Sequence, residues 1–195
     1  MIVTDGASRP KPGERACGDA WCAVERAGVH LVAVVDGLGH GPEAALAAGL
    51  AVEHLRRLLE EPEPPPVDGL LLDLHRVLRA TRGAVAGLAL VDPAAGCVSY
   101  AGVGNTEVLL LGATSSRLFS RSGMLGGARR PRPATQRAAF APGARLVLYT
   151  DGVLPPDGKD ELRRLPATRR ARFVITRWAR PADDAAVAIA CWESG

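Results

Sequence analysis

The chain has 195 residues, 47% of them apolar and only 4% aromatic, enough to bury one core built from small aliphatic side chains. Its net charge of +3 is unevenly laid down: residues 1–114 hold 9 Lys/Arg against 14 Asp/Glu, residues 115–180 hold 15 against 4, and residues 181–195 hold none against 3. No apolar run is long enough to span a membrane, and four scattered cysteines without a CxxC pair argue against zinc or disulfides and for a reducing cytoplasm.

The N-terminal MIVTDGASRPKPGERACGD carries no apolar signal core. Asp19–Glu25 and His30–Asp36 are short apolar runs separated by Arg-Ala-Gly and read as a hairpin. Pro42 to Leu59 has apolar positions at helical spacing with proline in its first turn, which predicts a helix stopped by the proline-rich Glu60–Pro66. That stretch joins two helices, because Val67–Thr81 repeats the helical period, and it reads as a surface loop within one domain spanning 1–195. Strands are expected at Ala84–Val91, Cys97–Val103 and Glu107–Leu111, with Gly102-Val103-Gly104-Asn105 as a simple hairpin turn. Residues 112–143 are rich in Gly, Pro and Arg, with one short strand at Arg117–Ser120. A strand at Arg145–Thr150, a basic amphipathic helix at Thr168–Arg180 and a strand at Ala185–Trp192 complete an α+β sandwich. The basic segment lacks interleaved aromatics and is broken by prolines, so it predicts a solvated arginine-rich face and no nucleic-acid partner.

Acidic residues recur at strand ends. Asp19 opens a strand after Gly18, Asp36 closes one before Gly37, Asp151 closes one before Gly152, and Asp183-Asp184 precede the last. Any single Asp-Gly is ordinarily a turn. Four such stations on one sheet rim would repel one another unless hard divalent cations such as Mg²⁺ or Mn²⁺ neutralised them. The glycine-rich VVDGLGHGPEAA has no GK[ST] lysine and does not follow the GxGxxG order, so it does not read as a nucleotide cradle. His30, His54 and His75 sit in strand or helix contexts and are assigned no chemistry.

The ordered set GERACGDAW, VVDGLGHGPEAALAA, RGAVAGLALVDPAAGCVSYAGVGNTEVLL, LVLYTDGV and ADDAAVAIA resembles the metal-dependent type 2C protein phosphatases, in particular their SpoIIE-type branch and its short, RsbX-like stress-regulatory members. The resemblance implies a four-layer αββα sandwich, two antiparallel sheets flanked by helices, with two divalent cations, Mn²⁺ or Mg²⁺, at one end. It makes Asp36 the carboxylate shared by both metals and Gly37 a backbone-carbonyl ligand of one. Asp19 resembles the acidic ligand of that same metal, and Asp151 and Asp183 resemble the ligands of the other. Asp184 resembles a carboxylate behind the ligands, with the reverse assignment of the pair left open. Arg15 stands where related enzymes often carry a phosphate-clamping arginine, and a mobile surface arginine is the alternative.

Many type 2C enzymes have a histidine two residues after the shared aspartate, where this chain has Leu38; His40 is close but displaced. The activity implied is phosphoserine/phosphothreonine hydrolysis on a phosphorylated regulatory protein of a bacterial partner-switching pathway, a STAS-domain antagonist or stressosome subunit, in the cytoplasm and without a membrane partner. A pseudophosphatase that only grips its phosphoprotein is the alternative. Arg129, Arg130 and Arg132, ahead of the TDG strand, are expected to border the site if their loop folds over the rim.

Overall fold

The computed structural model describes residues 1–61, 65–112, 118–156 and 159–193. In chain order the elements are β1 (Ile2–Arg9), β2 (Asp19–Arg26), β3 (Val29–Gly37), α1 (Pro42–Glu60), α2 (Val67–Val77), β4 (Ala84–Asp92), β5 (Cys97–Val103), β6 (Glu107–Leu111), β7 (Gln136–Ala139), β8 (Arg145–Tyr149), α3 (Lys159–Arg164), α4 (Arg170–Trp178) and β9 (Ala185–Trp192). The strands form two antiparallel sheets, ordered β1-β9-β8-β6 and β2-β3-β4-β5-β7.

Side-chain alternation explains how these sheets stack. In β3, Leu31, Ala33 and Val35 point into a core shared with α1 and α2, whereas Val32 and Val34 point into a core between the sheets. In β9, Ala188 and Ala190 face that same middle core, while Val187, Ile189 and Cys191 pack with Val174, Ile175 and Trp178 of α4. Central strands are thus buried on both faces, which is why they read as continuous apolar runs. Three cores separate four layers: α1/α2, the five-stranded sheet, the four-stranded sheet, and α4. This is the four-layer αββα sandwich that the sequence resemblance implies.

Helix α1 turns Ala44, Ala47, Ala48, Ala51, Val52, Leu55 and Leu59 inward. Its small first residues let the helix backbone press on the end of β3: a Cβ on Gly37 would lie 2.1 Å from the Ala44 carbonyl oxygen. Glycine at position 37 is therefore a steric requirement of helix–strand approach. Among the described residues no helix is long and apolar enough to cross a membrane.

Several expectations are corrected. Gly102–Asn105 is not a hairpin turn, because β5 and β6 belong to different sheets and the chain crosses between layers there, with Gly104 at φ 103°. Of Arg117–Ser120, Arg117 lies outside the described residues, and Leu118–Ser120 form no strand; only Arg121 bridges to Val103. The C-terminal helix is shorter than Thr168–Arg180, starting at Arg170 after a 3₁₀ turn and ending at Trp178. Strands β1 and β7 and helix α3 were not anticipated.

Candidate metal centre

The antiparallel register decides which acidic residues meet. Asp19, first in β2, is paired directly with Asp36, next to last in β3. In the other sheet β8 ends at Tyr149, opposite Val187, and the Thr150 amide donates to the Ala186 carbonyl at 3.0 Å. That register carries Asp151 alongside Asp183-Asp184 at the start of β9. Strand ends from both sheets come together at one rim of the sandwich.

Bonds cross the seam between the sheets. Asp184, buried, accepts from the Lys11 amide at 2.7 Å through Oδ1 and from the Gly18 amide at 2.9 Å through Oδ2. The Thr150 hydroxyl accepts from the Ala186 amide at 2.9 Å, which fixes the end of β8 against β9. Asn105 Nδ2 donates to Asp151 Oδ2 at 2.6 Å, and Arg180 Nε donates to the Asp151 carbonyl at 2.8 Å. Behind them, Gly152 lies so close to β9 that a Cβ would fall 1.7 Å from the Asp184 carbonyl oxygen.

Charge is costly here. Burial, then the Asp36 charge, push the Asp19 carboxyl up to about 8. Burial, then the Asp151 and Asp183 charges, push Asp36 up to about 7. Asp151 is also raised, by partial burial and then by Asp183.

The structure thus brings Asp19, Asp36, Asp151, Asp183 and Asp184 into one electrostatic neighbourhood, with Gly37 beside them. It does not bring Arg15 into contact: the side chain is exposed on the β1–β2 loop and bonds to no described residue. His40 Nδ1 lies 2.8 Å from Glu14 Oε1, so the imidazole is tied to that same loop at the rim. Asn105, Thr150 and Glu14 were missed in the sequence. Thr150 had a signal, because it immediately precedes Asp151; Asn105 and Glu14 are placed only by the fold.

The family model for stage II sporulation protein E (SpoIIE) matches residues 26–192. The chain belongs to the SpoIIE family of type 2C phosphatases. Phosphoserine phosphatase RsbX of Bacillus subtilis (strain 168) is 24% identical over 156 residues, covering 79% of this chain and 76% of that protein. A chain from a structure described as the bacterial stressosome, a modular system adapted to control secondary messenger signaling, is 32% identical. Its TM-score is 0.89, over 97% of this chain and 99% of its own. RsbX in complex with magnesium shares the fold at TM-score 0.81 and 22% identity, over 97% of this chain and 94% of its own.

The family is metal-dependent, and the donors at this rim suit hard divalent ions. They are all oxygens, drawn from carboxylates whose crowding a divalent cation offsets. Among the described residues no three His, Cys, Asp or Glu side chains already close on one point as a finished cage. Asp184 is engaged with backbone amides and Asp151 with Asn105, while Asp19 faces Asp36 across the β2–β3 pair. The fit therefore rests on the chemistry and burial of the donors.

Proposed function

We propose that the chain is a single-domain protein serine/threonine phosphatase that uses two divalent cations, Mn²⁺ or Mg²⁺, to hydrolyse phosphoserine or phosphothreonine on a regulatory phosphoprotein. The observation that carries this reading is the convergence of strand ends from both sheets on Asp19 and Asp36, two facing carboxyls pushed up to about 8 and about 7 by burial and by neighbouring charge. Asp36 would be shared by both ions. Asp19 and the Gly37 carbonyl would hold one, and Asp151 and Asp183 the other. When bound, such ions supply Lewis-acid polarisation of the phosphoryl group and acidification of water.

The chain's own residues orient and brace. Asp184 accepts backbone amides from Lys11 and Gly18, so its role is to fix the loop that delivers Asp19. Asn105 and Arg180 hold Asp151 by its side chain and its carbonyl. Glu14 orients His40 through Nδ1, which leaves Nε2 to meet substrate or solvent at the rim. Arg15 is unengaged and reaches for the phosphate. Leu38 fills the place where many relatives have a histidine, so any proton delivered to the leaving hydroxyl comes from His40 or water.

The phosphoserine phosphatase named among the relatives and the neighbour from a stressosome structure support a partner-switching substrate, a STAS-domain antagonist or stressosome subunit in the cytoplasm. The test is hydrolysis of p-nitrophenyl phosphate and of a phosphoserine protein, with EDTA and then with Mn²⁺ or Mg²⁺ restored. Activity lost to chelator and recovered with metal is expected. Full turnover in chelator overturns the two-metal reading, and metal binding without turnover on either substrate favours a phosphoprotein-binding pseudophosphatase.

A further inference from the structure

From Val108 to Thr150 the chain carries seven arginines and no aspartate or glutamate. Three of them, Arg129, Arg130 and Arg132, lie within four residues between β6 and β7. All three are exposed and make no hydrogen bond or ion pair with any described residue. They line a groove of about 950 Å³ together with Met124 and Pro131. A second cavity of about 460 Å³ continues past Arg130 and Arg132 to Asp68 and Leu72 of α2.

The loop bearing them is pinned. Leu125 exchanges two backbone hydrogen bonds with Ala84, at 2.8 and 3.1 Å, and the Gly126 amide donates to His75 Nδ1 at 3.1 Å. Upstream, Arg121 bonds through its backbone to Gly102 and Gly104 at 2.9 and 2.8 Å. These anchors also fix the groove's position. Gly18, Gly37, Ala84 and Leu125 form one row across the strand ends, since Gly37 bonds to Gly18, pairs with Ala84, and Ala84 bonds to Leu125. Neighbouring strands lie about 4.8 Å apart, so Leu125 stands two spacings, about 10 Å, from the residue after Asp36. The loop then runs along α2, not over the carboxylate rim, which corrects the expectation that these arginines border the metal ligands.

We infer that this groove docks an acidic protein segment, and, resting on the phosphatase reading, that the segment flanks the phosphorylated residue of the substrate. Guanidinium forks match carboxylates, and three unpaired ones in four residues repel one another until an anionic partner offsets them. Pro131 and Pro133 limit the backbone freedom lost on binding. Met124 and Pro131 add apolar contact for the side chains between acidic residues. No aromatic side chain is among the groove's described lining, so it has no stacking platform for single-stranded nucleic acid.

The test measures binding apart from catalysis. A fluorescein-labelled, unphosphorylated Glu-rich peptide and its Glu→Gln counterpart are titrated at low ionic strength by anisotropy. Wild type should hold the acidic peptide at least about tenfold more tightly, and R129Q/R130Q/R132Q should lose that preference. R164Q/R172Q/R177Q, which removes the same charge on the opposite outer layer, should keep it. Equal loss in both triple variants, or equally tight binding of oligothymidylate or phosphatidylserine vesicles by wild type, overturns the docking site. Hydrolysis of p-nitrophenyl phosphate with Mn²⁺ judges the underlying reading separately: both triple variants should match wild type. An inactive wild type overturns the assignment of the segment to a substrate, while the anisotropy still decides the groove.

Discussion

Replacing Asp36 by asparagine separates the two consequences of a crowded carboxylate. Asp36 stands at about 7 instead of 3.8 because it is partly buried and lies near the Asp151 and Asp183 charges. A carboxyl raised on folding keeps a proton that the unfolded chain has already released. Its contribution is therefore fully present below about 3.8 and is lost as pH climbs through about 7. Asp19, raised to about 8, pulls in the same direction over an overlapping window. Each tenfold change in proton affinity is worth about 1.4 kcal/mol; because the two carboxyls share one repulsion, the substitution should stabilise the metal-free protein by about 2–3 kcal/mol at pH 8. For a chain of this length that raises Tm by roughly 4–12 °C in EDTA. The gain should fall to less than half at pH 5, where folded wild type still carries the proton. With Mn²⁺ the advantage should be cancelled, since ligand at about 100 times its Kd adds about 2.7 kcal/mol to a protein that retains its ligands. Turnover of p-nitrophenyl phosphate should drop at least about 100-fold. Thermal melts from pH 5 to 8, with EDTA or Mn²⁺, read all of this. An Asp36→Asn protein that melts no higher than wild type in EDTA at pH 8, or gains equally at every pH, refutes the crowding argument. Near-native turnover refutes the ligand role.

His40→Ala should slow phosphoserine hydrolysis far more than p-nitrophenyl phosphate hydrolysis if His40 protonates the leaving group, since nitrophenolate leaves without help; equal losses in the two assays would mean it only braces the loop through Glu14. Asn105→Ala removes the 2.6 Å bond to Asp151 and should weaken Mn²⁺ binding by about 10–100-fold in calorimetric titration while leaving the metal-free melt within about 1 kcal/mol of wild type. Gly152→Ala places a Cβ 1.7 Å from the Asp184 carbonyl, beyond what a side-chain shift can relieve, and should cost about 2–3 kcal/mol or more, read as a lower melting temperature with and without metal.

What was readable in the sequence follows burial. Strands β3, β4, β8 and β9 are covered on both faces, so each leaves an apolar run that ends where an aspartate or a glycine must turn out. Helix α1 announces itself by proline in its first turn and a small-residue stripe. Strands β1 and β7 were not readable because neither leaves an apolar run. IVTDGASR and QRAA are only partly buried, and the first exists by virtue of a register with β9 that joins Ile2 to Trp192. The crossing at Gly102–Asn105 was hidden for a related reason. A tight hairpin and a layer change both use glycine and asparagine, and only the pairing of β6 with β8 distinguishes them. At the site, the carboxylates were legible as residues, but their division of labour was not. Asp183 and Asp184 are neighbours in sequence, and it takes the Lys11 and Gly18 amides to show that the second serves the backbone.

The division of the acidic residues between the sheets has a mechanical consequence. Asp19 and Asp36 belong to the five-stranded sheet, and Asp151 and Asp183 flank strands of the four-stranded one. Cations held among them would tie the layers together at the one edge of the sandwich where like charges push them apart. Among the described residues, the ties across that seam include Asp184 to Gly18 and, at the layer crossing, Asn105 to Asp151. None of these neutralises charge. They position the carboxylates, and the work of overcoming repulsion is left to whatever cation binds. Loosening a tie and removing the metal should therefore not be independent perturbations. A tie costs little on its own when the carboxylates can relax apart, and more when the cations hold them at a fixed spacing. Variants at position 105 should accordingly show a larger stability deficit with Mn²⁺ than with EDTA, the reverse of the order expected for a bond that serves only the fold.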